Sequence, residues 1–197
     1  MSLPRPRDMS RPGGEDAQDI ELLEATRRGD EAAFAGLLTL YWTPLVRYAR
    51  RILGSADAAE DVVQDAFVRL WERRGEWREA SAPRVLLYTI VRNLSLNQTK
   101  SRAVRAARLA VRHDQSRVEL VTPADLLEAA ELARCVATAI AALPPRRREV
   151  LLLARHDGFS RAEIAELTGL SSQTVANYLA MAIEELRRAL RPQTGGP

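Results

Sequence analysis

The sequence predicts an all-α protein of two small helical domains joined by a flexible linker, the second containing a helix-turn-helix. Three observations predict this. Apolar residues recur at helical spacing through most of the chain from Asp19 to Leu190. Aromatic residues make up only 5% of the 197 residues while Ala, Leu and Arg are abundant, a bias toward helix over sheet. The last third, Ala142 to Leu190, carries caps, a glycine turn and small residues in the order that two crossed helices require. No strand alternation and no internal repeat is visible.

The elements follow in order. Residues 1–18 hold Pro4, Pro6, Pro12, Gly13 and Gly14 among Arg5, Arg7 and Arg11 and read as a disordered leader. They lack the apolar stretch of a secretory signal. The first domain is expected over 19–102. Asp19–Arg28 reads as a short helix closed by Gly29. Asp30 then caps a long helix with Phe34, Leu37, Leu38, Tyr41, Leu45, Tyr48 and Ile52 at helical spacing, stopped by Gly54. Asp57 with Glu60 forms a capping pattern for a third helix, reaching about Arg74. After a loop from Gly75 to Ala82, Pro83 suits the first turn of a fourth helix that carries Val85, Leu86, Tyr88, Thr89, Ile90, Arg92 and Asn93.

Residues 103–121 read as the linker, polar and basic. From Lys100 to Arg117 six basic residues stand against one acid, Asp114, a local charge of +5 inside a chain of net +3. Such a stripe is either the footprint of a polyanion partner or a solvated surface run. The second domain is expected over 122–191, opening at Thr122-Pro123 with a helix to about Ala142, broken by Leu143-Pro144-Pro145. Arg146 to Arg155 forms a short helix, and residues 192–197 a tail.

Within the second domain Ser160 is an N-cap, and Glu163 three residues later completes a capping box. Gly169 stands where a helix must end with positive φ, and Ser171 caps the next helix. Ala165, Leu170 and Val175 are small or apolar where the two helices must touch. Such a pair offers its second helix to the DNA major groove.

Composition narrows the alternatives. No apolar run approaches the roughly 20 residues that span a bilayer, so no membrane insertion is expected. The lone Cys135 excludes an internal disulfide and a cysteine-rich zinc site, and two histidines leave little for metal or acid–base work. We expect no cofactor, no metal and no catalytic residue. The acids read as surface groups.

Asp57 to Glu72 is the second informative stretch. Val63, Phe67 and Trp71 fall at i, i+4 and i+8 and are expected in the core. Asp61, Gln64, Asp65 and Arg69 recur on the other face. On physics alone this is a solvated face whose acids suit a helix N-terminus, with an Asp65–Arg69 pair.

This segment resembles the helix by which bacterial sigma factors of the extracytoplasmic-function (ECF) group bind core RNA polymerase: an acid pair, Val-Gln-Asp-Ala-Phe, then an apolar and an aromatic residue. Leu87-Tyr88-Thr89-Ile90-Val91-Arg92-Asn93 resembles the family's promoter-melting helix. Ala142-Leu143-Pro144 through Leu190 resembles its C-terminal domain. The stretch Thr174 to Leu179 looks most like the iron-starvation (FecI-like) subgroup.

The resemblance implies an alternative sigma factor, cytoplasmic and without catalysis of its own, with core RNA polymerase, promoter DNA and an anti-sigma factor as partners. Asp61, Gln64, Asp65, Phe67, Leu70 and Trp71 fall on the polymerase-contacting helix. Glu79, Ala80, Ser81, Ala82 and Pro83 fall on the loop that captures a flipped base from the −10 element, a step that repays the cost of unstacking. Tyr88, Arg92 and Asn93 fall on the helix behind that loop. Asn93 either reads a base edge or serves the helix itself.

One departure stands out. Where many family members place Arg or Lys on the recognition helix, this chain has Ala176, Tyr178, Met181 and Ile183. Ser172, Gln173, Thr174 and Asn177 remain as readers of the −35 element, and Gln and Asn pair bidentately with adenine. Phosphate anchoring then falls to Arg161, Arg187, Arg188 and Arg191, with Arg146 to Arg148 near polymerase or DNA. Two other functions account for less of the chain. A dimeric helix-turn-helix regulator explains only the last third, and an all-α enzyme would need a buried acid cluster in a pocket.

Overall fold

The computed structural model describes residues 17–77, 82–108 and 127–190, and every regular element among them is a helix. The helices fall into two compact units, divided between Arg117 and Val118.

The first unit contains α1 (Ala17–Arg27), α2 (Glu31–Leu53), α3 (Ala56–Glu72) and α4 (Pro83–Arg108). Helix α2 is its spine and packs against each of the other three. It starts because Asp30 Oδ1 accepts the Ala32 and Ala33 amides at 2.8 and 3.1 Å. It stops at Gly54, whose φ of 71° suits a residue without Cβ. Pro44 lies inside α2 and removes a helical N–H. Such a proline costs about 3 kcal/mol in an isolated helix, and here Leu37, Tyr41, Leu45 and Tyr48 are buried on either side of it. They meet Val63, Phe67 and Leu70 of α3 and Val85, Leu87, Tyr88 and Val91 of α4 in one core. Phe34 packs on Phe67 and Trp71 at centroid distances of 5.9 and 5.1 Å, within the range favoured by aromatic pairs.

Three sequence expectations are corrected in this unit. Helix α3 is capped by Ser55, whose Oγ accepts the Ala58 amide at 3.4 Å. Asp57 lies inside the first turn, where its charge suits the helix dipole. Helix α4 runs on to Arg108, through the start of the expected linker, because Ala103, Ala106, Ala107 and the intervening Arg residues are good helix formers. The acids are not all on the surface. Asp19 is buried and accepts the Tyr41 hydroxyl at 2.6 Å, tying α1 to α2.

The turn after α3 is closed by side chains. The Trp77 indole Nε1 donates to the Leu70 carbonyl at 3.2 Å. Arg74 donates to the Trp71 carbonyl at 2.8 Å and lies over the Trp71 ring, 4.6 Å from its centroid. Two carbonyls of the last helical turn thus find partners.

The second unit contains α5 (Leu127–Ala142), α6 (Pro145–Arg155), α7 (Arg161–Thr168) and α8 (Ser172–Ala189). Ser160 Oγ accepts the Glu163 amide at 3.3 Å while Glu163 accepts the Ser160 amide at 2.7 Å, the full capping box. Gly169 closes α7 with φ 71°, and Ser171 Oγ accepts the Thr174 amide at 3.1 Å to open α8. Val150, Leu153, Ile164 and Val175 are fully buried between α6, α7 and α8. Leu143, Leu151 and Ala182 form a second cluster with Ile140, Leu179, Ile183 and Leu186 around it. Asp157 is a second buried acid, 3.5 Å from the His156 ring. The leader before residue 17, the tail after 190, the start expected at Thr122-Pro123 and the later linker lie outside the described residues.

Candidate functional site

Helix α3 presents one buried and one exposed face. Its 3.6-residue period places Asp57, Glu60, Asp61, Gln64, Asp65, Val68 and Arg69 in solvent, while Val62, Val63, Ala66, Phe67 and Leu70 are buried. Of the expected polymerase contacts, Asp61, Gln64 and Asp65 therefore form one exposed acidic and polar surface. Leu70 does not join it. It is fully buried against α2 and α4 and belongs to the core, which corrects the sequence assignment. Trp71 is half-buried, held between Phe34 and Arg74. Asp65 and Arg69 form no ion pair among the described residues, so the acid stays available to a partner.

The sequence reading missed Val68. It is 48% exposed in the middle of the polar face. Its signal was an apolar residue standing off the Val63–Phe67–Trp71 stripe. Val68 adds one apolar group to a face otherwise made of acids, Gln64 and Arg69.

The second surface lies at the start of α4. Glu79, Ala80 and Ser81 fall outside the described residues. Ala82 is half-buried and Pro83 buried at the first turn. Tyr88 is fully buried, its ring 5.0 Å from that of Tyr48, and Arg92 is only 6% exposed. Both were expected as contacts and are instead buried: Tyr88 packs α4 against α2, and Arg92 offers almost no surface to a nucleic acid. Asn93 is exposed, and Asn97 and Lys100 are exposed one and two turns farther on. The i, i+4, i+7 spacing of these three was the unread signal for a polar stripe along α4.

The third surface is the outer face of α8. Ser172, Gln173 and Asn177 are exposed near its N-terminal end, and Thr174 is half-buried. The Thr174 hydroxyl lies 2.8 Å from Ser171 Oγ, so it also takes part in the cap of α8. Gln173 Nε2 donates to Asn177 Oδ1 at 3.0 Å. Arg161 is exposed at the start of α7, and Arg187 and Arg188 at the end of α8, with Arg188 3.9 Å from Glu184. Arg191 falls outside the described residues.

The Arg146–Arg148 cluster is largely consumed inside the unit. Arg148 donates to the carbonyls of Ala141 and Leu143 at 2.6 and 2.9 Å, bracing the turn between α5 and α6. Arg147 pairs with Glu185 and joins α6 to α8. Arg146 lies 3.7 Å from Glu149. Arg147 and Arg148, expected near polymerase or DNA, thus also brace the unit internally.

Comparison with known proteins shows the family of both units. Residues 37–105 match the Sigma-70 region 2 family and residues 133–186 match Sigma-70, region 4. The ECF RNA polymerase sigma factor SigL of Mycobacterium tuberculosis is 32% identical over 148 residues, 75% of this chain and 82% of that protein. The structure of CnrH in complex with the cytosolic domain of CnrY superposes with a TM-score of 0.65 at 25% identity, covering 90% of this chain and 99% of CnrH. The sigma factor RpoE in complex with the anti-sigma factor NepR from Bartonella quintana shares the fold, with a TM-score of 0.66 at 23% identity over 81% of this chain and 98% of that one. Region 2 thus covers the helices bearing the acidic face of α3 and the Asn93 stripe of α4, region 4 covers the helix-turn-helix, and the chain belongs to the ECF RNA polymerase sigma factors, alternative sigma factors that bind core RNA polymerase and direct promoter-specific transcription initiation.

Proposed function

We propose that this sigma factor divides its work among three surfaces. Asp61, Gln64, Asp65 and Val68 of α3 dock on core polymerase. The segment from Glu79 to Pro83, with Asn93 exposed behind it, holds the melted −10 strand. Gln173 and Asn177 of α8 read the −35 element, while Arg161, Arg187 and Arg188 hold phosphates. The observation that carries the reading is the exposed face of α3, whose acids and Val68 stay in solvent while the opposite face is fully packed.

The protein adds no chemistry of its own and acts by positioning polymerase on DNA. An anti-sigma factor covers one or more of these surfaces when transcription is off. The RpoE–NepR complex, whose sigma component shares the fold, supports that partner. Membership of the iron-starvation subgroup rests on the form of the Thr174–Leu179 stretch alone.

Run-off transcription with purified core polymerase tests the whole. The chain should confer initiation at a defined set of start sites that core polymerase lacks. A gel shift adds a second reading. Promoter DNA should shift chiefly when core polymerase is present. A shift of palindromic DNA by the chain alone, without stimulation by polymerase, would instead indicate a free-standing dimeric regulator.

A further inference from the structure

The outer face of α8 carries two chemistries in succession. Gln173 and Asn177 lie toward its N-terminal end. One turn on, Ala180 and Met181 are also exposed, and Met181 shows 45% of its surface. Met181 is not an overflow of the core. Val175 and Ala182 are fully buried, and Leu179, Ile183 and Leu186 pack around the Leu143 cluster, so the apolar stripe of α8 lies on the other side. The face of Gln173, Asn177, Ala180, Met181 and Glu184 is continuous along the helix at steps of three and four residues.

Resting on the reading of α8 as the −35 helix, we propose that Met181, with Ala180 beside it, reads the 5-methyl group of a thymine in the −35 major groove. That methyl is the apolar group the major-groove edges offer, and the flexible, polarizable methionine side chain adapts to it. Continuity with the Gln173–Asn177 face fixes DNA as the occupant of this apolar patch. The four residues from Asn177 to Met181 advance about 6 Å along the helix axis, so the thymine lies farther along the groove than the base that the amide pair addresses. An amide that selects adenine followed by a surface that selects the thymine methyl distinguishes A·T from T·A at successive positions without any arginine on the reading face.

The test uses holoenzyme assembled from the full chain and core polymerase. A −35 element is first selected from a promoter library. Each of its thymines is then replaced in turn by deoxyuridine, which lacks only the methyl. For the wild-type holoenzyme, one such replacement should lower promoter affinity about threefold to fourfold, the effect of one methyl left unburied. Met181→Ala should lose about the same factor on thymine DNA and become indifferent to deoxyuridine at that position. Gln173→Ala should keep the deoxyuridine penalty. Met181→Gln, which keeps length and removes the apolar end, repeats the comparison should the alanine variant fold poorly.

The inference is overturned by wild-type holoenzyme that tolerates deoxyuridine at every −35 position, by a selected element with no thymine on the reading face, or by Met181→Ala and Met181→Gln variants that keep the penalty. Failure of the sigma-factor reading is distinct. It would appear as absence of promoter-specific binding by wild-type holoenzyme on unmodified DNA.

Discussion

The side-chain amide of Gln173 donates to that of Asn177 across one turn of α8, Nε2 to Oδ1 at 3.0 Å, with both side chains in solvent. The bond consumes one of the two Nε2 hydrogens of Gln173 and leaves its other hydrogen and its Oε1 for a base. That remainder is still the donor–acceptor pair that adenine N7 and N6 require. Asn177 holds the Gln173 amide in one orientation and keeps its own Nδ2 hydrogens for a neighbouring base or phosphate. Gln173→Ala should relax base preference at one −35 position, at about 1–3 kcal/mol for a bidentate contact. Asn177→Ala should relax the same position and one more. The double variant should fall short of the sum of the single effects by about 0.5 kcal/mol or more, since the two residues share a bond. A promoter library read through holoenzyme measures all three. Strict additivity would dissolve the pair as a reading unit.

Arg188 should behave in another way. It is exposed at the end of α8, and its nearest acid, Glu184, is a solvent-screened neighbour at 3.9 Å. Arg188→Ala should weaken promoter binding about equally for all −35 sequences and reduce the salt slope by about one ion, as loss of one phosphate contact requires. Titration of holoenzyme affinity against salt concentration distinguishes this from a change in base preference.

On α3, three substitutions separate surface from core. Asp65→Arg should weaken core polymerase binding while changing stability by under about 0.5 kcal/mol. Val68→Ala should likewise lower core affinity with little effect on the melting temperature, because Val68 is 48% exposed and outside the packed face of α3. Leu70→Ala should cost about 2–5 kcal/mol of folding stability, since it empties a fully buried site. Thermal melts paired with core-binding titrations check the set. A Leu70→Ala protein with unchanged melting temperature would contradict the burial described.

The capping box of α7 offers a local test. Ser160→Ala removes the acceptor for the Glu163 amide and should cost about 1 kcal/mol. The loss should appear in chemical denaturation of the second unit. The unfolding slope should stay constant, since the surface exposed on unfolding does not change.

Much of this was legible because caps and turns are decided locally. Asp30, Ser160 and Ser171 each act within three residues of their own position, and Gly29, Gly54 and Gly169 take the positive φ that the chain must adopt there. Burial was harder to read, because it depends on what packs from elsewhere. Leu70 lies on the apolar stripe of α3 with Val63 and Phe67, and the structure keeps it in the core although the resemblance placed it among the contacts. Arg92 is charged yet buried, and Tyr88 carries a hydroxyl yet packs its ring at a tilt against Tyr48. The cap of α3 was misread for a different reason. Asp57 and Glu60 have the spacing of a capping box, but Ser55, two residues earlier, already has the extended backbone and the oxygen that the start of a helix needs.

The Trp77 indole bonded to the Leu70 carbonyl bears on how such proteins are recombined. Helix α3 does not end where its backbone ladder ends. Its last turn is finished by a side chain seven residues downstream, so the natural seam of a chimaera lies after Trp77 and not at Glu72. A graft of promoter-recognition sequence joined after Trp77 inherits an intact junction. One joined at Glu72 carries a foreign residue into the end of the host's own α3.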